Sequence, residues 1–226
     1  MYKTVLFDLD DTLLDFKKSE AEALSATLLQ FGIQPTPAVI GRYSEINEGL
    51  WKQLEKQEIT RERLLPYRFE LLFDELGVKQ DSHAVQRTYE QTLSQSCYFI
   101  DGALELLETL VRTHDLYIVS NGTALVQYGR IGKAGIGQYF KALFISQEIG
   151  ADNPDRQFFE EAFARIPDFC REQTIIIGDS LSSDIAGGRA AGIATGWYNP
   201  QGKPLPDSGT VDYDIRTLQQ IPAIVG

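Results

Sequence analysis

Short runs of apolar residues recur along this chain, and most of them end at a polar residue or a glycine. The first run covers residues 5–7 and stops at Asp8. The later ones cover residues 116–119, 143–145 and 175–177, with a weaker run at 193–197. Continuous apolar runs of this length, rich in Val, Ile, Leu and Phe, predict strands that are buried on both faces of a parallel sheet.

Helical patterns separate these runs in the second half of the sequence. They cover residues 102–112, 123–133, 155–165 and 183–191, where apolar residues return every three or four positions. Strands that alternate with helices at this spacing predict right-handed βαβ units and a doubly wound α/β fold. Ligands of such folds bind at the carboxyl ends of the strands.

The segment 16–95 interrupts this alternation, because it contains several helix-period stretches and no convincing strand. We interpret it as an inserted all-helical domain. This interpretation leaves residues 1–15 and 96–226 for the α/β core.

The helix boundaries inside the insert can be read from single residues. Gly32 and Gly77 are predicted to end helices. Thr36, which precedes a proline, and Thr60 are predicted to begin them as capping residues. Pro66 is predicted to break or kink the helix that begins at Thr60.

Composition narrows the classes of function and partner. The chain has 226 residues, of which 43% are hydrophobic, so it can bury a large core. Its 32 acidic and 21 basic residues give a net charge of −11, which argues against nucleic-acid polymers and anionic membrane surfaces as partners. Two distant cysteines and an N-terminus without an apolar leader predict a cytoplasmic protein with no membrane segment.

Polar clusters follow three of the predicted strands: Asp8, Asp10 and Asp11 after the first, Ser120 and Asn121 after 116–119, and the sequence GDSLSSD at 178–184. Each cluster by itself is also consistent with ordinary helix capping. Because parallel strands end at one edge of a sheet, we expect the three clusters to converge. Carboxylate oxygens suit Mg²⁺ better than zinc, and a hydroxyl, an amide and free N–H groups suit an anion. The sequence therefore predicts a site for phosphate and magnesium.

These motifs resemble those of the haloacid dehalogenase superfamily, and the chain is similar along essentially its whole length to the phosphatases of that superfamily that carry a helical cap. DLDDT at 8–12 matches the first motif, DxDxT, while Ser120 matches the second motif and 178–184 the fourth. The resemblance implies a Rossmann-like core with the cap inserted after the first motif. Dehalogenases of the superfamily do not need the second acid, so Asp10 favours phosphoryl chemistry.

The resemblance also implies a role for each motif residue. Asp8 would be the nucleophile that forms an aspartyl-phosphate, and Asp10 the acid/base that protonates the leaving alcohol and then activates water. Mg²⁺ would be held by the side chains of Asp8 and Asp179 and by the backbone carbonyl of Asp10. The remaining implied roles are phosphoryl binding by Ser120 and Asn121 and support of the metal site by Asp184.

One position departs from the family. A lysine usually precedes the proline of the third motif, but here Asn153 stands before Pro154. Asn153 can donate a hydrogen bond to phosphate but cannot cancel charge, and the loss of one preorganised donor costs on the order of 10² to 10³ in rate. Three interpretations remain open. The chain is a slow phosphatase, a phosphatase of normal rate in which Arg156, Lys17 or Lys18 supplies the missing charge, or a disabled phosphatase.

The sequence around two aromatic residues is relevant to the identity of the substrate. The sequences around Phe16 and Trp51 resemble a branch of these phosphatases that acts on nucleoside monophosphates, often pyrimidine ones. Phe16 and Trp51 either stack on a base or belong to the core of the insert.

The leading hypothesis is a Mg²⁺-dependent phosphatase of small phosphorylated metabolites, nucleoside 5′-monophosphates first, acting as a monomer or homodimer. The alternatives are a catalytically impaired protein that binds a phosphorylated ligand, which Asn153 suggests, and a phosphomutase.

Overall fold

The chain divides into two compact units. The computed structural model describes residues 1–205 and 209–226. Met1–Asp15, Tyr98–Ala124 and Ala134–Gly226 form one unit, which we call the α/β unit. Phe16–Cys97 and Leu125–Lys133 form the other, which we call the helical unit.

A parallel sheet forms the centre of the α/β unit, with six strands among the described residues. They are β1 (Thr4–Asp8), β2 (Asp115–Ser120), β3 (Ala142–Ile145), β4 (Thr174–Gly178), β5 (Ala194–Tyr198) and β6 (Tyr213–Ile215). Their order in the sheet is β3-β2-β1-β4-β5-β6, which is the order of Rossmann-like folds. The predicted fold class is therefore confirmed. β6 was not predicted, because it has only three residues and one of them is Asp214.

Four helices account for most of the described part of the helical unit: α1 (Phe16–Gln30), α2 (Pro37–Glu55), α3 (Arg61–Leu76) and α4 (Ser82–Leu93). Thr36 and Thr60 cap α2 and α3 as predicted, since each side-chain oxygen accepts a hydrogen bond from a backbone N–H three residues later. Gly32 and Gly77 follow the ends of α1 and α3, also as predicted. Of the break or kink predicted at Pro66, the break is wrong, because α3 continues through this residue. Among the described helices, none has both the length and the apolar character required to cross a bilayer.

The helices that connect or follow the strands are α5 (Ala103–Leu110), α6 (Ala124–Ala134), α7 (Ser146–Ile149), α8 (Arg156–Ala164), α9 (Ala186–Ala190) and α10 (Ile221–Val225). A π-helical turn, Leu181–Ile185, leads directly into α9, so the helix predicted over 183–191 starts two residues earlier. Phe158 and Phe159 of α8 pack in one buried cluster with Leu6 of β1 and Ile176 of β4. This packing covers the central strands, whose apolar runs have no exposed surface.

Most of α6 packs with the helical unit, although the helix follows a strand of the α/β unit. Residues Leu125–Lys133 group with α1 to α4. Val126 belongs to their apolar core, and the guanidinium of Arg130 lies over the ring of Phe16, 5.5 Å from its centroid. The sequence-based division gave all of 96–226 to the core. The local pattern of α6 cannot reveal this grouping, because it predicts a helix and not the partners of that helix.

Candidate active site

Three carboxylates meet where β1 and β4 end. Asp8 is the last residue of β1, Asp179 directly follows β4, and Asp184 lies in the π-helical turn. One carboxylate oxygen of each residue lies within 4.8 Å of the other two. Because β1 and β4 are neighbours in the sheet, the strand order itself brings Asp8 and Asp179 together.

Asp184 is the most buried of the three, at 3% exposure, and hydrogen bonds hold both of its oxygens. The backbone N–H of Ser180 donates to Oδ2 at 3.2 Å, and the side-chain amide of Asn153 donates to Oδ1 at 3.0 Å. Gly178 makes this placement possible, since a Cβ atom at that position would overlap the Asp184 carboxylate. The glycine before Asp179 thus has a steric role in the site.

The electrostatics of the cluster favour a bound cation. Loss of hydration and the nearby carboxylates of Asp184, Asp179 and Asp10 raise the pKa of Asp8 well above its usual range. Like charges at such short distances are costly unless a cation or a proton offsets them. A site made of hard oxygen donors fits Mg²⁺, which binds one or two carboxylates and completes its shell with water and phosphate oxygens.

A tight loop after β1 carries Asp10. Asp11 has a φ of 57°, in the left-handed region that non-glycine residues rarely adopt, and its N–H donates to the carbonyl of Leu14 at 2.8 Å. The N–H of Leu14 in turn donates to the carbonyl of Leu9 at 2.9 Å. These bonds close the loop on itself and so fix the backbone of Asp10, two residues after Asp8.

The loop after β2 connects to the segment before Pro154. Ser120 ends β2, is buried, and accepts a hydrogen bond on Oγ from the N–H of Gly122 at 3.1 Å. Asn121 donates from Nδ2 to the carbonyl oxygen of Asn153 at 2.6 Å. The N–H of Asn153 donates back to Oδ1 of Asn121 at 2.8 Å. The amide of Asn121 is therefore paired with the backbone of Asn153.

Asn153 contacts the carboxylate cluster through the hydrogen bond from its side-chain amide to Asp184. Its side chain is 3% exposed, and its Oδ1 has no hydrogen-bond partner among the described residues. Of the alternative cations, Arg156 donates to Glu160 at 2.7 Å and its side chain is 77% exposed. Lys17 and Lys18 belong to the helical unit. Among the described residues, Arg156 is thus paired with Glu160 of its own helix and not with the three acids.

Phe16 and Trp51 both lie in the helical unit, partly buried against its apolar core. The indole Nε1 of Trp51 donates to Oδ1 of Asn47 at 3.0 Å, and the same oxygen accepts from Nη1 of Arg68 at 2.7 Å. A buried polar network thus fixes one edge of the indole ring.

Sequence reasoning missed some of the residues that support the site. The indole Nε1 of Trp197 donates to the backbone carbonyl of Asp179 at 2.9 Å. Trp197 was assigned only to a strand, and a strand pattern carries no sign of such a bond. The support of Asp184 by Ser180 is more accessible to prediction, because Ser180 lies inside the GDSLSSD motif.

Known proteins that match this chain point to one family. The family model described as haloacid dehalogenase-like hydrolase matches residues 5–198. The chain is 38% identical over 221 residues to pyrimidine 5′-nucleotidase PynA of Streptococcus pneumoniae, covering 97% of this chain and 93% of PynA. It is 40% identical over 220 residues to YfnB of Bacillus subtilis, covering 97% of this chain and 94% of YfnB. A crystal structure of YfnB bound to magnesium matches with a TM-score of 0.94 and 39% identity, covering 100% of this chain and 99% of that one. The chain therefore belongs to the haloacid dehalogenase-like hydrolases.

Proposed function

We propose that this hydrolase is a Mg²⁺-dependent phosphatase of nucleoside 5′-monophosphates, with pyrimidine nucleotides as its best substrates. The observation that carries the proposal is the cluster of Asp8, Asp179 and Asp184 at the carboxyl edge of the sheet. A site of this kind suits a phosphate monoester, because a bound cation can offset the repulsion between a carboxylate nucleophile and an anionic substrate.

The metal would be held by the side chains of Asp8 and Asp179 and the backbone carbonyl of Asp10, with Asp184 in support. Bound Mg²⁺ supplies positive charge that favours the approach of one anion to another. The residues around Asp184 would keep the carboxylates oriented, since both of its oxygens already accept hydrogen bonds.

The chemistry proceeds in two displacements. An oxygen of Asp8 attacks phosphorus while the bond from phosphorus to the alcohol oxygen breaks, and Asp10 donates its proton to the leaving alcohol. Asp10, now a carboxylate, accepts a proton from water, whose oxygen attacks phosphorus. The bond to Asp8 then breaks, which releases inorganic phosphate and restores both acids.

The choice of substrate rests on a relative and on the helical unit. PynA is named as a pyrimidine 5′-nucleotidase, and it shares 38% of its residues with this chain over nearly the full length of both. Trp51 offers an indole held by Asn47, and an aromatic ring of this kind can stack on a base.

A second candidate function is binding of a phosphorylated ligand without efficient turnover. Asn153 favours it, because a buried neutral amide contacts Asp184 where the family carries a lysine.

Phosphate release from a panel of substrates tests the proposal. With Mg²⁺ present, we expect the highest kcat/KM for UMP, CMP and dTMP, lower values for purine nucleotides, and the lowest for ribose 5-phosphate and hexose phosphates. Phosphate release with similar kcat/KM values for nucleotides and sugar phosphates would overturn the substrate assignment. Binding of a phosphorylated compound with no phosphate release from any substrate would favour the second candidate function. As a control, Trp51→Leu is expected to raise KM for UMP severalfold and to leave KM for ribose 5-phosphate, which lacks a base, unchanged.

Thermal unfolding tests the metal site without substrate. Mg²⁺ at a hundred times its Kd is expected to stabilise the folded protein by about 2.7 kcal/mol. For a chain of this size that corresponds to a rise in Tm of about 5 to 10 °C. Asp179→Asn is expected to lose this rise while melting no lower than wild type in metal-free buffer, because one of three repelling charges is gone. A full Mg²⁺-induced rise in Asp179→Asn would contradict the assignment of Asp179 as a ligand.

A further inference from the structure

Asn121 makes two hydrogen bonds to a segment that is distant in sequence. Its Nδ2 donates to the carbonyl oxygen of Asn153 at 2.6 Å, and its Oδ1 accepts from the N–H of Asn153 at 2.8 Å. A side-chain amide paired in this reciprocal way fixes the position and the orientation of the two peptide units that flank Asn153.

The side chain of Asn153 continues this connection to the carboxylates. Its Nδ2 donates to Oδ1 of Asp184 at 3.0 Å, and Oδ2 of Asp184 accepts from the N–H of Ser180 at 3.2 Å. An unbroken series of hydrogen bonds thus runs from the loop after β2, through Asn153, to the loop after β4. Asn153 and Asp184 are buried, where hydrogen bonds are stronger than in water and a lost partner is costly.

We infer that Asn121 is a positioning residue for the metal site, which it serves through Asn153. By fixing the backbone of residue 153, it places the amide that holds Asp184 beside Asp8 and Asp179. This inference rests on the proposed Mg²⁺ site and adds to it a residue from the loop that sequence reasoning assigned to phosphate.

The inference predicts that a residue outside the carboxylate cluster controls metal affinity. Removal of hydrogen-bond partners behind metal ligands typically weakens metal binding by about 10- to 100-fold. Asp184 is itself such a supporting residue, so we expect Asn153→Ala, which removes a direct partner of Asp184, to raise the Kd for Mg²⁺ by about tenfold, the lower end of this range. Asn121→Ala, acting one step further away, is expected to raise it by about three- to tenfold.

The experiment is calorimetric titration of Mg²⁺ into the purified full chain without substrate. Asn199→Ala is the matched control, because Asn199 also pairs reciprocally with a backbone: its Nδ2 donates to the carbonyl of Lys203 at 3.0 Å and its Oδ1 accepts from the N–H of Lys203 at 2.9 Å. This variant loses the same kind of interaction and is expected to lower Tm at least as much as Asn121→Ala. Its Kd for Mg²⁺ is expected to equal that of wild type.

The double variant Asn121→Ala/Asn153→Ala decides whether the two residues act in series. If Asn121 acts through the Asn153 side chain, the double variant should bind Mg²⁺ as weakly as Asn153→Ala alone. An effect of Asn121→Ala that adds in full to that of Asn153→Ala, or an Asn121→Ala variant with wild-type affinity, would overturn the inference. Failure of the wild-type chain to bind Mg²⁺ would instead overturn the proposed metal site and the coupling with it.

Discussion

Asp8→Asn is expected to lower phosphate release by roughly 10³-fold or more, because an amide oxygen cannot act as the attacking nucleophile that the two-step reaction requires. The variant removes one of the three charges that meet at the ends of β1 and β4 and is close to isosteric with the native side chain. It should therefore fold as well as wild type and melt no lower without metal. Steady-state release of phosphate from UMP measures the loss.

The matched control for this variant is Asp115→Asn. Asp115 is the first residue of β2, at the opposite end of a strand that pairs with β1, and it lies 3.8 Å from the ammonium of Lys141. The same chemical change there is expected to leave kcat/KM within about twofold of wild type, since exposed ion pairs contribute little. Retention of more than a tenth of the wild-type rate by Asp8→Asn would exclude this residue as the nucleophile.

Asn153→Lys is expected to raise kcat/KM for the best nucleotide by about 10²-fold, the size of effect associated with one preorganised electrostatic donor. Asn153 is buried and its amide contacts Asp184, so a lysine there would bring a positive charge into a site otherwise made of carboxylates. An ammonium group only donates hydrogen bonds, whereas the native Asn153 leaves its Oδ1 without a partner among the described residues.

Asn153→Gln separates charge from length. It keeps a neutral amide on a longer side chain and is expected to show no gain over wild type. Equal rates for Asn153→Lys and wild type would mean that another cation already supplies the charge. Activity in Asn153→Lys alone would instead identify the natural chain as a phosphate-binding protein with a disabled phosphatase site.

The positions of Asp8, Asp179 and Ser120 could be predicted from the sequence because a run of apolar residues precedes each of them. Apolar runs without a charged residue predict buried strands, and the first polar residue after each run is expected at the carboxyl end of its strand. The helix boundaries at Thr36, Thr60 and Gly77 could be predicted from local sequence in the same way, since each depends on one residue and the turn beside it.

What the sequence could not provide are relationships between distant segments. The pairing of Asn121 with Asn153 joins residues that are 32 positions apart, and an asparagine in the sequence does not indicate which distant residue it will bind. The break predicted at Pro66 failed for the opposite reason, because a local rule was overridden by the packing of α3, whose Phe69 and Leu72 are fully buried. Only the three-dimensional structure shows whether a local conformational preference or tertiary packing prevails.

The grouping of Leu125–Lys133 with the helical unit limits how far this protein can be regarded as interchangeable modules. Gly129 lies so close to Ser94 that a Cβ atom there would be 2.6 Å from the serine Cβ, so the helix and the insert must be compatible at this contact. A chimera that imports a relative's insert between positions 15 and 98 would also have to import the relative's version of 125–133. Divergence of the helical unit in such chains is therefore constrained at two separate stretches of sequence, and changes in one need compensating changes in the other.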